Sequence, residues 1–145
     1  MTEDDVFQRV AAFISNIHTL ESDLAQLIQD NELTSLQQDL LRILYFSGPR
    51  NLSSLSTCMN MNLPNSSREV KRLSEAGLIL KENSLLDKRV TELSLSDSGR
   101  RKVEEGLEKM KASLFSSSGE WTTRRVERVL ASLTILEEEL FPPHT

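Results

Sequence analysis

The chain has 145 residues, 38% of them hydrophobic, with five glycines, four prolines and a formal net charge of −5. This length suits one domain, or a domain with helical extensions, and so little glycine and proline favours an ordered, mainly helical chain. No apolar run approaches the roughly 20 residues that cross a bilayer, and the acidic start at residues 1–5 is unlike a secretory signal. We therefore expect no membrane partner. Because one cysteine cannot form an internal disulfide, we expect a protein of the reducing cytoplasm.

Both ends of the chain carry helical stripes of apolar residues. From Val6 to Leu27 these residues follow one another at alternating steps of four and three, which predicts one long helix over residues 4–30 with a heptad seam. At 1.5 Å per residue this helix is roughly 40 Å long, too long to bury its seam in one small domain. Similar stripes predict a helix from Asp97 to the break at 116–119, and a last helix that ends at Pro142.

These terminal helices predict a dimer. We expect an N-terminal dimerisation helix at residues 1–32 and C-terminal dimerisation helices at 97–145, on either side of a domain at 33–96. Packing of the ends into an intramolecular bundle is the alternative. The residues assigned to the dimer interface are Val10, Ile17, Leu24, Leu133 and Leu140.

The middle of the chain has the order of a winged helix-turn-helix. Thr34 with Gln37 three residues later is a capping box that opens a helix. In the third helix we expect Leu63, Val70 and Leu73 to face inward, with Gly77 as its left-handed stop. The predicted elements are helices at 34–47, 52–60 and 62–75, then strands at 78–80 and 91–95 around a loop at 82–89. The fold class is therefore mainly α with a small β-hairpin wing.

The charge is divided unevenly along the chain. Residues 61–102 hold nine Lys/Arg against six Asp/Glu, a net +3, and the remainder holds eight against sixteen, a net −8. One basic face on an acidic protein fits a DNA-binding surface. Ordinary scatter over 42 residues explains the same numbers.

The third predicted helix can enter a DNA major groove, because that groove admits an α-helix. We expect Arg68 to make a bidentate contact to guanine, and Lys71 and Arg72 to touch phosphate. Ser53 and Ser54, at the start of the second helix, offer hydroxyl and backbone N–H groups to phosphate. The full outward set on the third helix is Asn65, Ser67, Arg68, Lys71 and Arg72. A plain solvated helix face is the alternative for each basic residue.

The tip of the predicted hairpin carries Lys88 and Arg89. A projecting arginine suits a narrow, electronegative minor groove. Asp87, two residues earlier, is placed to orient the guanidinium by a charged hydrogen bond and not to touch DNA itself. The basic run that opens the next helix, residues 100–102, either lies against the DNA backbone or is a plain exposed face.

The chain resembles the MarR family of transcriptional regulators over nearly its whole length. The resemblance rests on Leu33-Thr34 with Gln37, on residues 67–73, on Ala76-Gly77-Leu78-Ile79, and on the wing signature Asp87-x-Arg89-x-x-x-Leu93-x-Leu95-Ser96-x-x-Gly99-Arg100. It implies an obligate homodimer whose subunits each bind half of a near-palindromic double-stranded DNA operator, with the matching Asp and Arg acting in the wing. Ser66 departs from the family, which usually has an apolar or threonine side chain there.

Other residues carry no chemistry of their own. We expect Cys58 to be a buried filler in the second helix, and His18 and His144 have no Cys or His cluster near them for zinc. We find no phosphate loop, nucleophile elbow or catalytic carboxylate pair, so we expect no enzyme, no metal and no cofactor.

The favoured function is therefore a DNA-binding transcriptional regulator, and we expect a repressor. The resemblance adds a small hydrophobic or phenolic effector bound between the dimerisation helices and the winged helix. Phe13, Ile17, Leu36 and Tyr45 fit such a cleft, but they are equally good core residues, so no ligand site is assigned. The alternative is a winged-helix protein-interaction module that no longer binds an operator.

Overall fold

The computed structural model describes residues 1–27 and 32–142, and shows a mainly helical chain with one small antiparallel sheet. It contains two compact units, residues 1–110 and 111–145. The predicted helix end at Asp30 and the predicted position of His144 lie outside the described residues. The elements are α1 Glu3–Leu27, α2 Ser35–Ser47, β1 Arg50–Asn51, α3 Leu52–Cys58, α4 Leu63–Glu75, β2 Ile79–Asn83, β3 Thr91–Leu95, α5 Asp97–Ser117 and α6 Thr123–Leu140.

Side-chain caps define where the central helices begin. Thr34 and Gln37 form the predicted capping box at the start of α2. Asn51 caps α3 by accepting from the Ser54 N–H, and Asn62 caps α4 by accepting from the Asn65 N–H. Each cap satisfies a backbone donor that lacks a partner in the first helical turn.

The sheet has the order β1-β3-β2, with β3 in the centre. The β2–β3 hairpin pairs Ile79 with Leu95 at its base and Asn83 with Thr91 near its tip. It was predicted in the right place, but β2 runs three residues further than expected and shortens the loop to residues 84–90. The sequence did not predict β1, whose Arg50 pairs with Leu93.

A leucine-rich core holds the helices against the sheet. Leu40 and Leu55 are completely buried, and Leu73 and Ile79 are almost completely so. Val103 of α5 belongs to the same cluster. Each such side chain stabilises the fold by about 1.5–3 kcal/mol relative to exposure. The core therefore joins α2, α3, α4, the sheet and the first turns of α5.

Two inward positions differ from the prediction. Leu63 was expected to face inward but is 51% exposed, because it is the first residue of α4 and lies at the helix end. Ser66, one turn further along, takes the inward place and is completely buried. Cys58 was expected to be buried but is exposed at the last residue of α3, where its sulfur accepts a hydrogen bond from the Arg50 guanidinium at 3.0 Å.

The long helix α1 leaves most of its heptad seam uncovered. Val6, Phe13, Ile17 and Leu20 are each at least 40% exposed. Leu24 differs, because its own chain already buries it to 7% exposure. Within the described part of the chain, no helix is both long and apolar enough to cross a membrane.

In the second unit, half-buried Trp121 contacts Phe115 and Arg125. Its ring meets Phe115 edge-on at a centroid distance of 4.9 Å, and the Arg125 guanidinium lies 4.3 Å from its centroid. Thr122 caps α6 by accepting from the Arg125 N–H. Apolar side chains of α6 remain exposed to solvent: Val126, Val129, Leu130, Leu133, Ile135 and Leu140.

Candidate nucleic-acid interface

The outward face of α4 presents two long cations. Arg68 and Lys71 are exposed and have no hydrogen bond or ion pair with any residue in ranges 1–27 and 32–142. Asn65 and Ser67 are exposed on the same helix, as predicted from the inward positions of Val70 and Leu73. A helix with unpaired donors along one face is equipped to meet base edges and phosphates.

Arg72 has a different environment from its neighbours. Its Nη1 lies 3.1 Å from Glu69 Oε1, while Glu69 Oε2 accepts from Gln37 Nε2 at 2.9 Å. The Glu69 side chain is only 14% exposed, so this carboxylate links α4 to the capping box of α2. The Arg72 side chain is still 59% exposed. Arg72 therefore pairs with the carboxylate that links the two helices, in addition to offering a positive charge.

Ser54 at the start of α3 makes hydrogen bonds within the chain that the sequence did not predict. The Ser54 N–H, proposed for phosphate, donates to Asn51 Oδ1 at 2.7 Å, and the Ser54 hydroxyl accepts from Arg50 Nη1 at 2.9 Å. Ser53 is exposed. Arg50 was missed because no motif marks it. It also donates to the Ser47 hydroxyl at 2.7 Å, and thus fixes the turn between α2 and α3.

At the wing tip, Asp87 holds Arg89 with both carboxylate oxygens. Arg89 Nε lies 3.1 Å from Oδ1 and Nη2 lies 3.2 Å from Oδ2, and the Arg89 backbone N–H also donates to Oδ1 at 3.0 Å. These contacts, the side-chain bonds first and the backbone bond second, lower the pKa of Asp87. The Arg89 side chain is 90% exposed, so it projects from the tip with its orientation set. This is the geometry predicted for the pair, and Lys88 beside it is exposed.

A short network closes the wing loop at its base. The Ser84 N–H donates to the Val90 carbonyl at 2.8 Å, and the Val90 N–H donates to the Asp87 carbonyl at 3.0 Å. Ser84 is itself buried. The five residues between Ser84 and Val90 therefore form a compact, hydrogen-bonded tip.

The end of α4 and the start of α5 meet at a close backbone contact. Gly77 has φ of 75°, the left-handed conformation that ends α4. Ser96 donates its hydroxyl to the Gly77 carbonyl at 2.6 Å and accepts from the Gly99 N–H at 3.0 Å. A Cβ on Gly99 would lie 2.2 Å from the Leu78 carbonyl oxygen. Ser96 and Gly99 of the wing signature thus hold the wing strands against two helices.

The basic run at the start of α5 has partners within the chain. The Arg100 guanidinium lies over the Tyr45 ring, 5.3 Å from its centroid, and Lys102 Nζ lies 2.8 Å from Glu32. Arg101 lines an open cavity of about 670 Å³, whose other lining residues are Tyr45, Glu104, Glu105, Glu108 and Lys109. Five of these six lining residues carry charged groups. Among the described residues, no three His, Cys, Asp or Glu side chains are grouped to hold a metal ion.

These features define a class of protein. Three helices with a tight turn between the second and third, followed by a hairpin with an arginine at its tip, form a winged helix-turn-helix. Residues 33–91 match the family model for the MarR family. This winged helix-turn-helix is therefore similar to that family over residues 33–91.

Solved structures extend the likeness along the chain. A MarR family protein from Bacillus stearothermophilus superposes with a TM-score of 0.78 at 21% identity, covering 97% of this chain and 98% of that one. A transcriptional regulator from Thermotoga maritima gives 0.73 at 22% identity, covering 97% and 99%. A mutant of S. aureus MepR bound to an oligodeoxyribonucleotide gives 0.58 at 20% identity, also covering 97% and 99%. Comparison with curated proteins gave no significant match.

Proposed function

We propose that the chain is a DNA-binding transcriptional regulator that binds a near-palindromic operator as a homodimer. The observation that carries the proposal is the presence, in one domain, of Arg68 and Lys71 exposed on α4 and of an oriented arginine at the wing tip. Helix α4 enters the major groove and the wing follows the minor groove. The fold is shared with the DNA-bound structure of MepR, which supports this use of the surface.

The two helix cations take different tasks in this proposal. Arg68 reads a guanine edge through two parallel N–H donors, a geometry that a single ammonium group cannot reproduce. Lys71 contacts phosphate, joined by Arg72 where its pair with Glu69 leaves the guanidinium accessible. Ser53 adds a phosphate contact at the start of α3, and the Ser54 hydroxyl is the remaining donor there.

The homodimer is supported by apolar surface that the single chain leaves uncovered. Val10 and Ile17 of α1, and Leu133 and Leu140 of α6, remain partly or largely exposed. Uncovered stripes of this length mark an association surface or cause aggregation. Leu24 contributes little new buried area, because its own chain already covers it. Two-fold symmetry then makes the operator near-palindromic, with half-sites about one helical turn apart.

Two measurements test the proposal. Sedimentation at micromolar concentration should give a dimer, and a stable soluble monomer would contradict the interface assignment. The protein should also select duplexes from a random-sequence pool. Its affinity for them should fall as salt rises, because lysine and arginine side chains that bind phosphate release counterions from the DNA. Failure to select any sequence, with a normal dimer present, would favour the alternative of a winged-helix protein-interaction module.

The proposed regulator represses transcription and releases DNA when it binds a ligand. We assign repression, relieved by a small hydrophobic or phenolic ligand, to this regulator. No residues are assigned to the effector. Titration of the protein–DNA complex with salicylate, as a phenolic probe, should release the selected duplex. Unchanged binding at millimolar probe would contradict a phenolic effector.

A further inference from the structure

Two leucines at the wing tip are not packed against any residue that the structure describes. Leu85 is 102% exposed and Leu86 is 99% exposed, which are the highest values among the large apolar residues between positions 32 and 142. Both lie in the compact loop that the Ser84–Val90 hydrogen bond closes. The Leu86 N–H donates to the Ser84 hydroxyl at 3.2 Å, so the leucines occupy a hydrogen-bonded turn. Exposed apolar side chains at a projecting tip indicate a surface that is covered on binding.

The charge beside the leucines indicates what covers them. Lys88 and Arg89 follow at once, and Asp87, the only acidic residue in the loop from 84 to 90, is bonded to Arg89. The tip therefore offers apolar side chains and net positive charge together. A polyanion with an apolar interior complements both, and the minor groove of DNA has phosphate edges above deoxyribose and base stacks.

We propose that Leu85 and Leu86 form an apolar wedge that enters the minor groove beside Arg89 and partly unstacks one base step there. This inference rests on the proposed function, because it requires the wing to lie on DNA. Leucine is one of the side chains that proteins insert between base steps from the minor groove. The loop closes between Ser84 and Val90, so a groove that receives Arg89 also receives its neighbours at the same tip.

The wedge has consequences that an arginine contact does not share. Insertion should bend the duplex and should favour pyrimidine–purine steps such as TA, which unstack most easily. It should add affinity without adding a phosphate contact, so the slope of affinity against salt should not depend on the leucines. Specificity would then extend to positions flanking the bases that α4 reads.

The test uses a duplex selected by the parent protein from a random pool, with 2-aminopurine replacing adenine at each flanking step in turn. The parent should raise 2-aminopurine fluorescence at one flanking step, since that base loses its stacking. The double substitution Leu85→Ser with Leu86→Ser should abolish this rise and weaken binding about tenfold or more, with an unchanged salt slope. Arg89→Ala should instead reduce the salt slope by about one phosphate equivalent.

Matched variants control for general effects on the wing. Leu80→Ser makes the same chemical change in β2 of the same hairpin, away from the tip, and should keep the fluorescence signal. Leu85→Met with Leu86→Met keeps the tip apolar and should restore binding. Because the leucines are fully exposed, the serine variant should unfold at the parental temperature, which circular dichroism checks.

Three results would overturn the wedge. The serine variant could bind the duplex as tightly as the parent, with the same fluorescence, which refutes the wedge and leaves the regulator intact. The parent could bind vesicles of phosphatidylserine, and lose this binding when the leucines are replaced, while its affinity for DNA stays the same. That result assigns the tip to a membrane surface. The parent could select no duplex at all, which refutes the proposed function itself and the wedge with it.

Discussion

The hydroxyl of Ser96 donates a 2.6 Å hydrogen bond to the backbone carbonyl of Gly77, and so joins the start of α5 to the end of α4. The Ser96 N–H donates to the next carbonyl, that of Leu78, at 3.1 Å. One residue therefore bonds two successive carbonyls just beyond the candidate recognition helix. The wing strands leave from this junction, so their direction relative to α4 depends on it.

The first prediction concerns Gly99, which packs on this junction. Gly99→Ala should destabilise the domain by about 1–3 kcal/mol, since the new methyl group would lie 2.2 Å from the Leu78 carbonyl oxygen. The usual gain for Gly→Ala in a helix, about 0.5–1 kcal/mol, is smaller than this clash. Urea unfolding measures the change. Ser98→Ala, at the exposed neighbour, is the control, and equal stability of both variants would contradict the close contact.

The second prediction concerns the buried hydroxyl of Ser66. Its Oγ makes no hydrogen bond to any residue that the structure describes, although the residue is completely buried. Ser66→Ala should therefore stabilise the domain by about 1 kcal/mol, as removal of an unsatisfied polar group does. Ser67→Ala is exposed on the same helix and makes the same change in helix propensity. If Ser66→Ala is less stable than Ser67→Ala, the hydroxyl has a partner after all.

The third prediction separates the tasks of two cations on α4. Arg68→Ala should weaken binding to selected duplexes by about 1–3 kcal/mol and relax discrimination at one base pair in each half-site. Lys71→Ala should weaken binding to selected and random duplexes alike, and flatten the salt dependence. Competition assays at two salt concentrations distinguish the outcomes. Equal losses on both kinds of DNA for Arg68→Ala would show that it does not read a base.

The fourth prediction concerns the arginine of the wing. Arg89→Ala should reduce operator affinity while folding and dimerisation stay normal, because its side chain is 90% exposed and buries little apolar surface. The loss should be larger on A·T-rich flanks, where the minor groove is narrow, than on G·C-rich ones. Asp87→Ala should cost less, since it removes the orienting partner and keeps the contact. A normal dimer with Arg89→Ala that binds at parental affinity would refute the wing assignment.

The fifth prediction is a titration of Asp87. Its pKa in the folded protein should lie below the ordinary value for aspartate, because Arg89 stabilises the carboxylate. Because the pKa of Asp87 is lower in the folded than in the unfolded protein, its pair with Arg89 stabilises the fold at pH values above the unfolded pKa. This contribution is lost as the pH falls through the folded pKa. The carboxyl carbon shift in NMR reports the titration directly. Arg89→Ala should raise the pKa partway, since the backbone N–H of residue 89 still donates, whereas Lys88→Ala should leave it unchanged.

Local chemistry explains what the sequence predicted well. The capping box at Thr34 and the stop at Gly77 depend on residues only a few positions apart, so the sequence pattern alone predicts them. The Asp87–Arg89 pair is equally local, because its two residues lie only two positions apart on one tight loop.

Contacts between distant segments explain what the sequence did not predict. Strand β1 has two residues and no alternation, and its pairing with Leu93 and Glu92 of β3 defines it. The burial of Ser66 and the exposure of Leu63 depend on where α4 meets its neighbours. Apolar neighbours suggested that Cys58 is buried, but its place at the end of α3 exposes it. Arg100 over Tyr45 joins residues that no sequence period relates.

The burial of Val103 sets a limit on how the DNA-binding part can be excised from the chain. Val103 is 6% exposed in the core shared with Leu40 and Leu73, and Leu107 packs against the same cluster. A fragment that stops at Ser96 would leave a hole beside the sheet and would also lose the Gly99 contact. An autonomous winged helix from this protein must therefore keep the opening turns of α5, at least as far as Leu107.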